Sequence, residues 1–84
     1  MAAPYRPYAP RPVAVRADGE GRQARPREVG GVAVEAVRED WLVEDRWWTT
    51  QPLRRHYFEL ALADGRAVTV FRDDAADRWF RQRA

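Results

Sequence analysis

The chain has no cysteine and no lysine, and a single histidine, in 84 residues. Without cysteine there is neither a disulfide framework nor a thiolate zinc site to support so short a chain. No apolar stretch approaches the eighteen residues a membrane-spanning helix needs, and no segment has the charged, apolar and small-residue layout of a secretory leader. There is no glycine-rich phosphate loop, no nucleophile elbow and no HExxH pair. His56 lies between Arg55 and Tyr57. Neighbouring positive charge disfavours its protonation, which makes it a poor base and a poor ligand. The expectations are a protein that is not an enzyme, with no cofactor and no metal site, held in the cytoplasm with no membrane contact.

What is present is arginine and aromatic surface. Every one of the fifteen basic residues is Arg, against thirteen acids, for a net charge of +2. The charge is uneven: residues 1–27 carry +4 and residues 28–84 carry −2. A pI near 9.7 with so small a net charge reflects the arginine rather than a strongly cationic nucleic-acid binder. The four Trp must supply much of the core, since each can bury roughly 150–250 Å². A chain of this length folds as one domain of modest stability.

Residues 1–11 hold Pro4, Pro7 and Pro10 among Tyr5, Arg6, Tyr8 and Arg11, a composition that predicts a disordered Pro/Arg-rich arm. Residues 12–84 then form a single small β domain. Val13 and Val15 alternate in a first strand, and Asp18-Gly19-Glu20-Gly21 turns the chain. Residues 22–29 read as an edge strand because of Pro26. Residues 32–48 form a long extended run whose alternation slips near Val37 to Glu39, the pattern of a bulge. The helical spacing of Val37, Trp41 and Glu44 is the competing pattern there.

The strongest local signal lies further on. Phe58, Leu60 and Leu62 alternate with Tyr57, Glu59 and Ala61, and Asp64-Gly65 leads into Val68 and Val70 opposite Ala67, Thr69 and Phe71. Asp-Gly between alternating runs marks a hairpin. Phe58, Leu60, Leu62, Val68 and Val70, with Trp41 and Trp79, are the expected core. The last segment, 78–83, is either a strand or a short helix capped by Asp73 or Asp74. The fold class expected is all-β, mainly antiparallel: a small curled sheet or SH3-like barrel of about five to six strands.

The carboxylates of Glu39, Asp40, Glu44 and Asp45 split between faces on a strand, so they do not converge as a catalytic pair or a metal cage. The best binding candidate is the mixed set Arg46, Trp47, Trp48, Arg54, Arg55 and Tyr57, which strand pairing would bring side by side. Trp and Arg are the residues that most often carry interface energy, and they also stack on nucleobases. The bland alternative is an internal Arg–aromatic stack that completes the fold.

The run DRWWTTQPLRRHYFELALADGRAVTVFRDDAADRWFRQR also resembles a family of small bacterial proteins of unknown function, common in GC-rich actinobacteria. It is similar to the extreme C-terminal segment of ImuB-type proteins, Y-family polymerase homologues without polymerase activity that act as hubs of damage-induced mutagenesis. The matching positions are Trp47, Trp48, Arg54, Arg55, Tyr57, Phe58, Asp64, Gly65, Arg66, Phe71, Arg72, Asp73, Arg78, Trp79 and Phe80. Here Asp73 to Asp77 replaces the tighter glycine-containing turn expected before Arg78-Trp79, and no polymerase domain is present. The resemblance implies a shared fold and a protein partner, a DNA polymerase or repair complex in translesion synthesis, and no reaction. The expected role is a non-catalytic accessory or protein-interaction module. The alternatives are a direct single-stranded nucleic-acid-binding domain and a purely structural role.

Overall fold

In the computed structural model, which describes residues 10–45, 48, 50 and 52–82, seven strands follow one another with one short 3-10 turn at Gly21–Gln23. They are β1 (Arg11–Pro12), β2 (Val15–Asp18), β3 (Arg25–Val29), β4 (Val32–Asp45), β5 (Leu53–Leu62), β6 (Ala67–Asp73) and β7 (Arg78–Gln82). All pairings are antiparallel, in the order β1-β7-β6-β5-β4-β3-β2. Among the described residues no helix is long and apolar enough to cross a membrane.

The expectation of five to six strands becomes seven because the first expected strand is divided. β1 pairs with β7 and β2 pairs with β3, yet only Val13 and Ala14 separate them. Two backbone bonds continue the two pairings through that joint. Val13 N–H donates to the Trp79 carbonyl at 3.1 Å, and Gly30 N–H donates to the Ala14 carbonyl at 2.8 Å. One extended stretch thus joins the two ends of the strand order and curls the sheet into a half-barrel. Arg11, expected in the arm, is the first strand residue. Pro10 is exposed and lies outside any strand, and residues 1–9 lie outside the described residues.

The β5–β6 hairpin forms as the alternation dictates. Phe58, Leu60, Leu62, Val68 and Val70 are buried in one cluster with Val29, and Trp79 packs against it. Leu62 N–H donates to the Arg66 carbonyl at 2.8 Å, leaving Ala63-Asp64-Gly65 as a three-residue loop. Gly65 has φ +92, the left-handed position that such loops reserve for glycine. Pro26 sits where β3 has β2 on one side only, because β3 meets β4 only at Glu28↔Ala33 and Val29↔Val32. The expected slip in β4 appears as two register shifts, between Val34 and Ala36 and between Val37 and Glu39. The C-terminal segment is strand, paired from Thr69↔Gln82 to Asp73↔Arg78.

Trp41 departs from the expectation. It is 37% exposed and pairs with Tyr57, so it lies on the outer face, opposite the side chain of Phe58. The cause is the second bulge. It moves β4 by one residue, so that Asp40 and not Trp41 shares the inner face with Phe58.

Candidate interaction surfaces

The outer face is built in rows, because cross-strand partners on one face are neighbours. Trp41, Tyr57, Phe71 and Phe80 stand in register across β4, β5, β6 and β7. Trp41 stacks on Tyr57 with centroids 5.4 Å apart and planes 5° from parallel, and Phe71 lies 4.8 Å from Tyr57 and 5.3 Å from Phe80. The adjoining row is Val43, Arg55, Asp73 and Arg78. The Arg55 guanidinium lies 4.6 Å from the Phe71 centroid, its Nη1 is 3.3 Å from the Tyr57 hydroxyl, and its Nε is 3.8 Å from the Asp73 carboxylate. Phe71 is only 1% exposed beneath these groups. The outer row is therefore a second, smaller packed cluster.

The inner side of β4 and β5 opens into a cleft of about 310 Å³ whose lining includes Arg22, Arg25, Leu42, Arg54, His56 and Arg72. Each carboxylate of the lining faces a basic neighbour. Asp40 lies 2.7 Å from His56 Nε2, Glu44 is 3.9 Å from Arg54, and Asp74 takes Arg72 at 2.8 Å and Arg22 at 3.5 Å. Arg25 lies over the Phe58 ring at 5.6 Å. His56 also stacks on that ring at 4.1 Å, so the lone histidine is half-buried between an aromatic and a carboxylate.

Arg72 is the buried charge that reading the sequence missed, at 8% exposure. It donates to Asp74 and Asp77. Burial opposes its charge, but the two carboxylates outweigh that, and its pKa stands above the ordinary arginine value. The Asp74 carboxyl is held below the usual carboxylate range by the Arg72 hydrogen bond, against a burial penalty, with Arg22 adding to it. The signal lay in the Asp73-Asp74-Ala75-Ala76-Asp77 turn. Asp77 takes the left-handed backbone, φ +50, in the turn where a glycine was expected, and its side chain accepts a hydrogen bond from Arg72.

The proposed binding set is divided by strand alternation. Arg54 and Arg55 point to opposite faces: Arg54 pairs with Glu44 on the inner face, and the Arg55 guanidinium caps the outer aromatic row, although both residues contribute to the lining of the cleft. Tyr57 belongs to that row, between Trp41 and Phe71. Trp48 stands out at 66% exposure, while Arg46 and Trp47 lie outside the described residues. Among the described residues the exposed large apolar side chains are Val37, Trp41, Leu42 and Trp48. All four fall on β4 or the turn after it, a concentration the sequence pattern did not reveal. No family model, no curated protein and no solved structure matches this chain, so the family resemblance rests on its own residues.

Proposed function

We propose that the chain is a non-catalytic protein-interaction module whose contact surface is the β4 side of the β4–β5 arm. The observation that carries this reading is the gathering on one arm of the sheet of Val37 and Leu42 on its inner face, Trp41 on its outer face and Trp48 in the turn after it, each exposed by more than a third. Exposed apolar side chains scattered singly need no explanation, whereas a local concentration marks a surface made to be covered. Trp is also the residue type that most often anchors interfaces. The resemblance to the C-terminal segment of ImuB-type proteins supplies the setting: a cytoplasmic accessory to a translesion synthesis or DNA repair complex.

The test compares the parent with the double variant Leu42→Ser, Trp48→Ser in pull-downs from damaged and undamaged bacterial cells. Both side chains are largely exposed, so the melting temperature should hold within a few degrees while partner capture falls. Undiminished capture by the variant would overturn the reading. The competing role, direct binding of single-stranded nucleic acid, predicts affinity that drops steeply with salt as phosphates are neutralised. Fluorescence anisotropy of the isolated chain with single-stranded oligonucleotides at two salt concentrations separates the two. Tight, salt-sensitive binding would favour the nucleic-acid role.

A further inference from the structure

β4 has β5 along one edge. Along its other edge β3 reaches only Val32 and Ala33, and among the described residues no strand pairs with the remainder. An edge strand offers a row of backbone donors and acceptors that another strand can take. The two register shifts, which twist an edge and discourage pairing, both precede Glu39. From Glu39↔Glu59 to Asp45↔Leu53 the pairing with β5 runs unbroken. That leaves seven regular residues, Glu-Asp-Trp-Leu-Val-Glu-Asp, enough for a strand of ordinary length. All but the half-buried Val43 are exposed.

The composition of this edge says what it fits. Four carboxylates flank three apolar residues, with no basic residue in the run; on the inner face Asp40 and Glu44 already meet His56 and Arg54, so the outer face decides the fit. On the outer face Glu39 stands directly across from Glu59, a like-charge pair that destabilises the sheet unless a cation joins the row. The next row, Trp41-Tyr57-Phe71-Phe80, ends at β4 with the exposed Trp41. A strand added beyond β4 would continue both rows, placing a cation beside Glu39 and an apolar or aromatic side chain beside Trp41. A second copy of this chain is a poor occupant. Antiparallel self-pairing centred on Leu42 sets Glu39 against Asp45 and Asp40 against Glu44, acid on acid at both ends.

We infer that Glu39–Asp45 is a strand-addition site for an extended segment of a partner protein, with apolar side chains at its centre and Arg or Lys at its flanks. The inference rests on the interaction-module reading and specifies its partner. Main-chain bonds supply affinity in this mode, and the alternating side chains supply selectivity.

The experiment uses the full chain and three synthetic ten-residue peptides: Arg/Lys-flanked with a Val-Tyr-Val centre, the same composition scrambled, and the same centre flanked by Glu. Amide hydrogen exchange across residues 39–45 is the readout, with affinity from isothermal titration. The basic ordered peptide should bind and slow exchange on the edge. The Glu-flanked peptide should do neither. Glu39→Arg removes the like-charge pair with Glu59, so its melting temperature should hold or rise, while affinity for the basic peptide drops by roughly tenfold or more. Peptide binding without slowed exchange, equal binding of the scrambled peptide, or exchange slowed by protein concentration alone would each overturn the inference, the last in favour of a second copy. Pull-downs separate it from the broader reading. Capture lost in the Leu42/Trp48 double variant but intact in Glu39→Arg sinks the edge site alone, and capture intact in both sinks the module.

Discussion

Phe58 and Trp41 carry comparable apolar surface and are placed quite differently. Phe58 is fully buried among Leu60, Val70 and Trp79, with Arg25 and His56 against its ring. Phe58→Ala should cost about 3–5 kcal/mol, a large share of the stability of so small a domain, and a denaturant melt checks it. Trp41→Ala removes a half-open stack on Tyr57 and should cost distinctly less. The reading of the sequence grouped these two aromatics because both sit in apolar runs. What separates them is a one-residue shift after Val37, and a shift reveals its direction only once the partner strand is in place. Arg72 escaped notice for a related reason: arginine is ordinarily exposed, and only the turn that brings back Asp74 and Asp77 allows its burial. That triad also sets a pH dependence. The Asp74 pKa is lower in the folded chain than unfolded, so ionised Asp74 stabilises the fold fully above the ordinary aspartate pKa of about 4. The contribution fades as pH falls from there through the lower folded value. Asp74→Asn should therefore melt earlier than the parent at pH 7, and the gap should narrow in acid. A gap independent of pH would show that the carboxylate charge is not what matters.

At the scale of elements, the β5–β6 hairpin was legible because strict alternation and an Asp-Gly loop agree on the same register. The bulge in β4 was legible as a break in phase, and pairing with β5 from Val34 to Asp45 settled the competition with a helix in favour of strand. The last segment was ambiguous on its own residues and became a strand because β6 offers Arg72 to pair with Trp79 and Phe71 to pair with Phe80. Tertiary pairing decided what local propensity left open. The binding set was legible in composition and not in geometry: adjacent residues on a strand point apart, so Arg54 and Arg55 serve different faces. Single substitutions should expose that division. Arg54 is 44% exposed and holds Glu44 at 3.9 Å, so Arg54→Ala should change stability by no more than about 0.5 kcal/mol. Arg55→Ala uncovers the Phe71 ring and takes a cation from Asp73, whose side chain is 19% exposed. Its melting temperature should fall clearly below that of Arg54→Ala. Equal melting temperatures for the two would mean that Arg55 does not cap the outer aromatic cluster.

For the molecule as a whole, the decisive feature is closure of the strand order by residues 11–18, and it left the faintest trace in the sequence. Val13 and Val15 announced a strand, but nothing local could tell that its first part would pair with β7, near the other end of the chain. Pairing at such separation carries a high loop-closure cost, and no sequence-neighbour pattern records it. The absence of cysteine makes closure directly testable. Arg11 and Arg81 are exposed, and they face each other in the β1–β7 register. Antiparallel partners stand roughly 4.5–5.5 Å apart at Cα, within the span a disulfide bridges. Arg11→Cys with Arg81→Cys should therefore oxidise readily to a monomeric cross-linked species. Because the bond encloses nearly the whole chain, it should stabilise the oxidised form by about 2–4 kcal/mol through restriction of the unfolded state. In a domain of this size each kcal/mol is worth roughly 4–8 °C. The melting temperature should rise on oxidation and return to near the parent's on reduction, since the exposed arginines contribute little. Replacing Val13 by Pro in the reduced pair removes the N–H that meets the Trp79 carbonyl, and should slow formation of the cross-link. Failure to oxidise in the unsubstituted background, or oxidation only to intermolecular dimers, would show that β1 does not lie beside β7 and that the sheet is open at that seam.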